Sequence, residues 1–174
     1  MISDHDVLFV VDGDYLFRSA QIAYGNDYRI SYSRLQDLVR QGRDPDLAYH
    51  MAIFVTVKAG RNSQLGFVSR LSHLGFDIHA FLSDIDPHTG DIRRHDYTDE
   101  MLHFIRDFRC DGNFPRTLVV ASASAALADL YIGLAYLGVL IEVMYVDTLS
   151  AKITDIHKSI LLGQDILYKP QMLY

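Results

Sequence analysis

Short apolar runs alternating with helix-length amphipathic segments predict a parallel α/β sheet covered on both faces. Three observations carry that fold class. Residues 7–11, 51–55 and 118–121 are apolar throughout, as strands buried on both faces are. The segments between them repeat leucine, valine and aromatic residues at helical spacing. Turn-forming Gly, Pro, Asn and Asp fall at the junctions.

Element by element, the first strand, residues 7–11, ends at Asp12-Gly13-Asp14, the exit turn of a buried strand. A helix is expected from Tyr15 to about Tyr24, closed by Gly25-Asn26-Asp27. Ser31 is a suitable N-cap for a second helix over Tyr32–Arg40, where Leu35, Leu38 and Val39 share a face. Pro45 breaks the chain before the strand at 51–55. Asn62 or Ser63 can cap a third helix ending near Leu74-Gly75, and residues 76–82 read as the next strand. Pro87-His88-Thr89-Gly90 is turn chemistry for a short hairpin returning through Ile92. Tyr97, Met101, Phe104, Ile105 and Phe108 mark a fourth helix, Thr117–Ala121 a strand, 124–137 a fifth helix and 139–146 a strand. A sixth helix is expected over 150–162. The whole chain, 1–174, reads as a single domain.

Composition narrows the setting. Hydrophobic residues make up 49% and charged residues 22% of 174, ordinary for a globular chain. The apolar runs fall far short of the roughly 20 residues a membrane span needs, and with acids and no basic stretch at residues 1–6 no secretory signal is expected there. Cys110 is the only cysteine, so a reducing, cytoplasmic setting is expected. The net charge of −6 gives no general affinity for phosphates, although a local basic face can exist on an acidic chain. Eight histidines occur without a Cys-x-x-Cys or His-Glu-x-x-His pattern, so no zinc motif is legible.

Ligands of parallel α/β sheets bind beyond the C-terminal ends of the strands. That rule directs attention to Asp12, Asp14, Asp84, Asp86 and the turn at 121–124. Carboxylates gathered there repel one another unless a proton or cation intervenes. A Mg²⁺ or Mn²⁺ ion held by them could activate water for phosphoryl displacement. The competing reading of Asp12-Gly13-Asp14 is a solvated turn. Asp96, Asp99 and Glu100 sit at the start of the fourth helix, where they favour its dipole. Asp96 and Glu100, four apart, also share a face. An EF-hand at Asp84-x-Asp86-x-His88 is rejected, because Gly90 is one place late and His95 stands where a bidentate Glu is needed.

Val10-Val11-Asp12-Gly13-Asp14-Tyr15-Leu16 resembles the opening motif of NYN domains, the branch of the PIN-like ribonuclease superfamily with Asp-Gly-x-Asn-Leu after an apolar strand. Further similar segments follow in family order: Ile30-Ser31-Tyr32-Ser33-Arg34-Leu35, Leu74-Gly75-Phe76-Asp77-Ile78, Arg93-Arg94-His95-Asp96, and 118–143. Together they cover about residues 6–165. The resemblance implies a three-layer, Rossmann-like, PIN-like fold with a mostly parallel sheet of about five or six strands. It also implies a divalent-metal ribonuclease site in which Asp12 matches the family and Asp96, or else Asp99 or Glu100, stands as the second acid. With the neighbouring carboxylates the candidate metal set is Asp12, Asp14, Asp96 and Glu100, and Asp12 and Asp96 are the residual catalytic pair.

The departures from the family pattern are specific. The family's Ser-Gly-Asp-x-Asp is matched here by Ser122-Ala123-Ser124-Ala125-Ala126, so Ser124 and Ala126 stand where acids are expected. Tyr15 stands where the motif has Asn. Loss of anionic ligands weakens a hard divalent ion, so weak metal binding and little or no hydrolysis are expected. No cofactor follows firmly; Mg²⁺ or Mn²⁺ is the ion an active form would take. Lys58, Arg61, Arg93 and Arg94 are the candidate contacts to a phosphate backbone, and Tyr15 a candidate stacking ring.

Three functions follow in order. The first is a degenerate module binding RNA or a protein partner; the apolar tail from Ile166 onward suits self-association or docking on its own core. The second is an active metal-dependent ribonuclease with a rearranged site including Asp84. The third is a haloacid-dehalogenase-like phosphatase using Asp12 and Asp14, with Ser122 on the phosphate and Lys152 or Lys158 as charge stabiliser. Against the third, Leu16 replaces the expected Thr, and no acidic pair follows the last strand.

Overall fold

A computed structural model describes residues 2, 5–58 and 62–170. In chain order the elements are β1 (Asp6–Asp12), α1 (Gly13–Tyr24), β2 (Arg29–Ile30), α2 (Tyr32–Arg40), β3 (Ala48–Val57), α3 (Asn62–His73) and β4 (Asp77–Leu82). There follow β5 (Asp84–Ile85), β6 (Ile92–Arg93), α4 (Thr98–Asp107), β7 (Thr117–Ala121), α5 (Ala128–Tyr136), β8 (Leu140–Tyr145), β9 (Lys158–Leu161) and β10 (Leu167–Tyr168). A six-stranded sheet in the order β4-β3-β1-β7-β8-β9 runs through the centre, every adjacent pair parallel. This is the three-layer Rossmann-like arrangement that the alternating pattern predicts.

Strand parity divides the core. Val7, Phe9 and Val11 face one side, where they meet Leu16 and Ala20 of α1, Leu35 and Val39 of α2 and Leu71 of α3. Leu8 and Val10 face the other, against Met101 and Ile105 of α4 and Tyr131 and Leu134 of α5. Because β1 is buried on both faces, each of its side chains from Val7 to Val11 is at most 1% exposed. That explains why its sequence shows no polar alternation. Strand order reverses between β1 and β7, placing a crevice at their C-terminal ends.

Two sequence expectations need correction or refinement. The helix expected over 150–162 does not form. Ser150 Oγ accepts from Lys152 N at 3.2 Å and closes only a local turn. Lys158–Leu161 then extends along β8, with Glu142 paired to Lys158 and Tyr145 to Leu161. An edge strand satisfies the open backbone groups of β8, and the β-branched Ile153, Thr154, Ile156 and Ile160 disfavour a helix there. Of the two fates open to the tail, the start of it takes the second and docks on its own core: Ile166 and Leu167 are buried, and β10 pairs with β2. Residues 171–174 lie outside the described residues. The Pro87–Gly90 hairpin forms as expected between β5 and β6.

Gly13 joins β1 to α1 at a close approach. A Cβ placed there would lie 2.5 Å from Val55 Cγ1 and 2.8 Å from the Phe54 carbonyl oxygen. Any side chain would lift α1 from β3. Gly13→Ala is expected to lose about 1–3 kcal/mol in urea denaturation; an unchanged midpoint would contradict this packing.

Candidate functional site

At the C-terminal end of β1, Asp12 is the N-cap of α1, its Oδ1 accepting from Tyr15 N at 3.2 Å. The same oxygen accepts from the Tyr97 hydroxyl at 2.6 Å. Its Oδ2 accepts from Ser122 Oγ at 3.1 Å. The register explains this last bond: Val11 pairs with Ala121, so the next residues of β1 and β7 emerge side by side. Ser122 is fully buried, and its Oγ also accepts from Ser124 N at 3.2 Å. Three donors thus converge on one carboxylate. Burial raises the Asp12 pKa above the ordinary aspartate value, while the bonds from Tyr97, Tyr15 and Ser122 oppose that rise and the nearby Asp14 charge adds to it.

Asp14 faces the other way. Its Oδ1 accepts from Thr56 N at 3.0 Å and its Oδ2 from Thr56 Oγ1 at 2.6 Å, tying α1 to the end of β3. Arg94 Nη1 lies 4.0 Å from Asp14 Oδ1, and Asp14 N donates to the Tyr97 hydroxyl at 3.1 Å.

Asp96 and Glu100 are exposed at the start of α4. Asp96 accepts from Thr98 N at 3.0 Å and Thr98 Oγ1 at 2.7 Å, and these bonds lower its pKa. Glu100 is bonded to His95 Nε2 at 3.2 Å. A backbone bond and His95 lower the Glu100 pKa. Among the described residues, the acids named as a metal set do not bring three ligand atoms within 4.8 Å of one another. Asp84 and Asp86 lie at the β5–β6 hairpin, where Asp86 pairs with Arg93.

Tyr15 packs inward, its hydroxyl accepting from Val146 N at 2.8 Å. Ser124 precedes a short 3₁₀ turn, Ala125–Leu127, in which Ala126 is exposed. For the phosphatase reading, Ser122 Oγ is already committed to Asp12 and Ser124. Lys152 is exposed beyond β8, and Lys158 starts β9 paired with Glu142, toward the N-terminal half of the sheet.

Beside Asp14, on the face of the sheet that carries α1, α2 and α3, lies a cavity of about 940 Å³. Asp14 lines it and Asp12 does not. Among the described residues its charged wall is basic: Arg29, Lys58, Arg70 and Arg94 against the carboxylate of Asp14. Phe17 and Tyr168 also line it, 37% and 36% exposed. Arg94 lies over the Phe17 ring, 5.5 Å from its centroid. Deeper in the wall, Tyr32 and Phe67 meet with ring centroids 5.9 Å apart.

Of the basic residues singled out in the sequence, Lys58 and Arg94 reach this cavity, Arg93 is paired with Asp86, and Arg61 lies outside the described residues. Arg29 and Arg70 were missed. Phe67 and Arg70 stand three apart on α3, a helical pairing of ring and cation legible in principle.

No family model and no curated protein matches the chain. The fold has a solved counterpart. A crystal structure of a protein of unknown function from Vibrio parahaemolyticus is similar, with a TM-score of 0.71 at 14% identity. The match covers 97% of this chain and 100% of that one. At that identity the likeness speaks for the fold alone. Among the described residues, no helix is long and apolar enough to cross a membrane.

Proposed function

We propose that this chain is a degenerate NYN/PIN-like module of the cytoplasm that binds single-stranded RNA and does not hydrolyse it. One observation carries the reading: four cations and two exposed aromatic rings line one cavity of a chain whose net charge is −6. Cations concentrated in a groove hold a phosphate backbone, and exposed rings stack on unpaired bases whatever their sequence. The absence of hydrolysis follows from how the carboxylates are used. Asp12 accepts three protein hydrogen bonds in a buried setting and Asp14 is held by Thr56. Neither is presented with further acids as a cation would require.

Fluorescence anisotropy with a labelled single-stranded RNA tests the reading. Arg70→Ala should weaken binding and reduce the slope of log affinity against log salt by about 0.7, as loss of one phosphate contact does. Phe17→Ala should weaken it by about 1–3 kcal/mol, the cost of one lost stacking platform. Arg109→Ala, a change near the opposite edge of the sheet, should leave binding unaltered. Equal affinity for wild type, Arg70→Ala and Phe17→Ala would overturn the proposal.

A further inference from the structure

At the N-terminal edge of the sheet, about 20 Å from Asp12 by the rise of β1, three residues distant in sequence meet. Asp6 opens β1, His50 lies in β3, and Cys110 follows the end of α4. One ligand atom from each falls within 4.8 Å of the other two. Parity and topology bring them together. Asp6 and His50 share the strand parity of Leu8, Val10, Ala52 and Phe54, which face α4 and α5. Cys110 is delivered to that same face by the exit from α4.

Each donor is held in place. His50 Nε2 lies 3.2 Å from Asp6 Oδ1, and its ring meets the edge of Phe108 with centroids 5.4 Å apart. Cys110 is fixed by a tight turn in which its N–H donates to Asn113 O at 2.7 Å and its carbonyl accepts from Asn113 N at 2.9 Å. The left-handed Asp111 and Gly112 form the bend of that turn. Cys110 is 7% exposed and the His50 side chain 41%. The sulfur is therefore shielded, while one side of the cluster remains open to solvent.

We propose that Asp6, His50 and Cys110 form a zinc site. A thiolate and an imidazole select a borderline-soft divalent ion, and hard Mg²⁺ or Ca²⁺ would not choose sulfur. Three protein ligands leave a fourth tetrahedral position, which water fills from the open side. On binding, the S–H bond of Cys110 breaks, its proton leaves to solvent and the sulfur coordinates the metal. The ring nitrogen of His50 that meets the metal gives up any proton it carries, to the other ring nitrogen or to solvent, and metal bonds replace its hydrogen bond to Asp6. The sequence gives no warning of this, because its three ligands come from three separate elements instead of one spaced motif. The site is independent of the RNA-binding cavity.

Cobalt titration of the metal-stripped full chain, kept reduced, tests the proposal. The expected result is a thiolate-to-cobalt charge-transfer band that saturates at one equivalent and disappears when Zn²⁺ is added. Cys110→Ser should abolish the band, and His50→Ala should weaken binding at least about tenfold. Circular dichroism confirms that each variant is folded. A readout free of variants is the ¹⁵N spectrum of the wild-type imidazoles, in which Zn²⁺ should move the His50 nitrogen. No charge-transfer band, a band unchanged in His50→Ala, or a stationary His50 resonance would each overturn the assignment.

Discussion

Asp12→Ala is expected to destabilise the chain by about 2–4 kcal/mol, while Asp12→Asn costs about 1 kcal/mol or less. Alanine leaves the Tyr97 hydroxyl, Ser122 Oγ and Tyr15 N–H without their acceptor, and Tyr97 and Ser122 are 5% and 0% exposed. It also removes the N-cap of α1, itself worth about 1 kcal/mol. Asparagine keeps an acceptor for two of the three donors, its Oδ1 accepting from Tyr97 and Tyr15. Its Nδ2 can donate to Ser122 Oγ once the Ser122 hydroxyl turns its own proton away.

The pH dependence separates the variants further. Burial raises the Asp12 pKa in the folded chain, so the folded chain takes up this proton before the unfolded chain does. Its contribution to stability therefore grows as pH falls through the folded-state value, and levels off below the ordinary value of 3.8. Asp12→Asn has no such proton to gain and should lack this increment. Urea denaturation at neutral and mildly acid pH measures both effects. Equal losses for the alanine and asparagine variants would contradict the hydrogen-bond account.

Glu142→Ala is expected to cost about 2–4 kcal/mol. Glu142 points from β8 into the protein, 5% exposed, and pairs with Arg43 from the loop after α2. Arg43 Nε also donates to Val39 O at 2.6 Å, fixing the guanidinium against the end of α2. Removing the carboxylate strands a partly buried cation. The cost lies at or below the lower end of the roughly 3–5 kcal/mol range for buried pairs, because the Arg43 side chain keeps 19% of its exposure and can draw on water. Glu142→Gln, which keeps an acceptor but loses the charge, should fall between wild type and Glu142→Ala. A thermal-melt series reads the order directly, and equal melting of all three would show the pair to be dispensable.

The sheet was legible because its signal is local. Runs such as 7–11 and 118–121 are apolar throughout, and a strand buried on both faces tolerates little else. The second helix was legible to its ends, since Ser31 caps it and Leu35 and Val39 set its buried face. The expected last helix failed because its apolar residues also suit a strand, and the open edge of β8 decided between the two.

The site divides in the same way. Asp12 and Ser122 can be placed together from the sequence, because both end strands that pair in parallel. The role of Tyr97 as donor to Asp12 could not be read, since it reaches across 85 residues from the start of α4. The basic cavity was half legible. Lys58 and Arg94 sit near strand ends where ligands are expected, whereas Arg29 and Arg70 enter from β2 and the last turn of α3.

The most direct measurement compares wild type with Asp12→Asn on one labelled single-stranded RNA in the presence of Mn²⁺, following binding and integrity of the strand together. The account predicts equal affinity and an intact RNA for both proteins. Cleavage by wild type that vanishes in a folded Asp12→Asn would contradict it, and would make Asp12 a metal ligand instead of the hydrogen-bond centre that joins β1, β7 and α4.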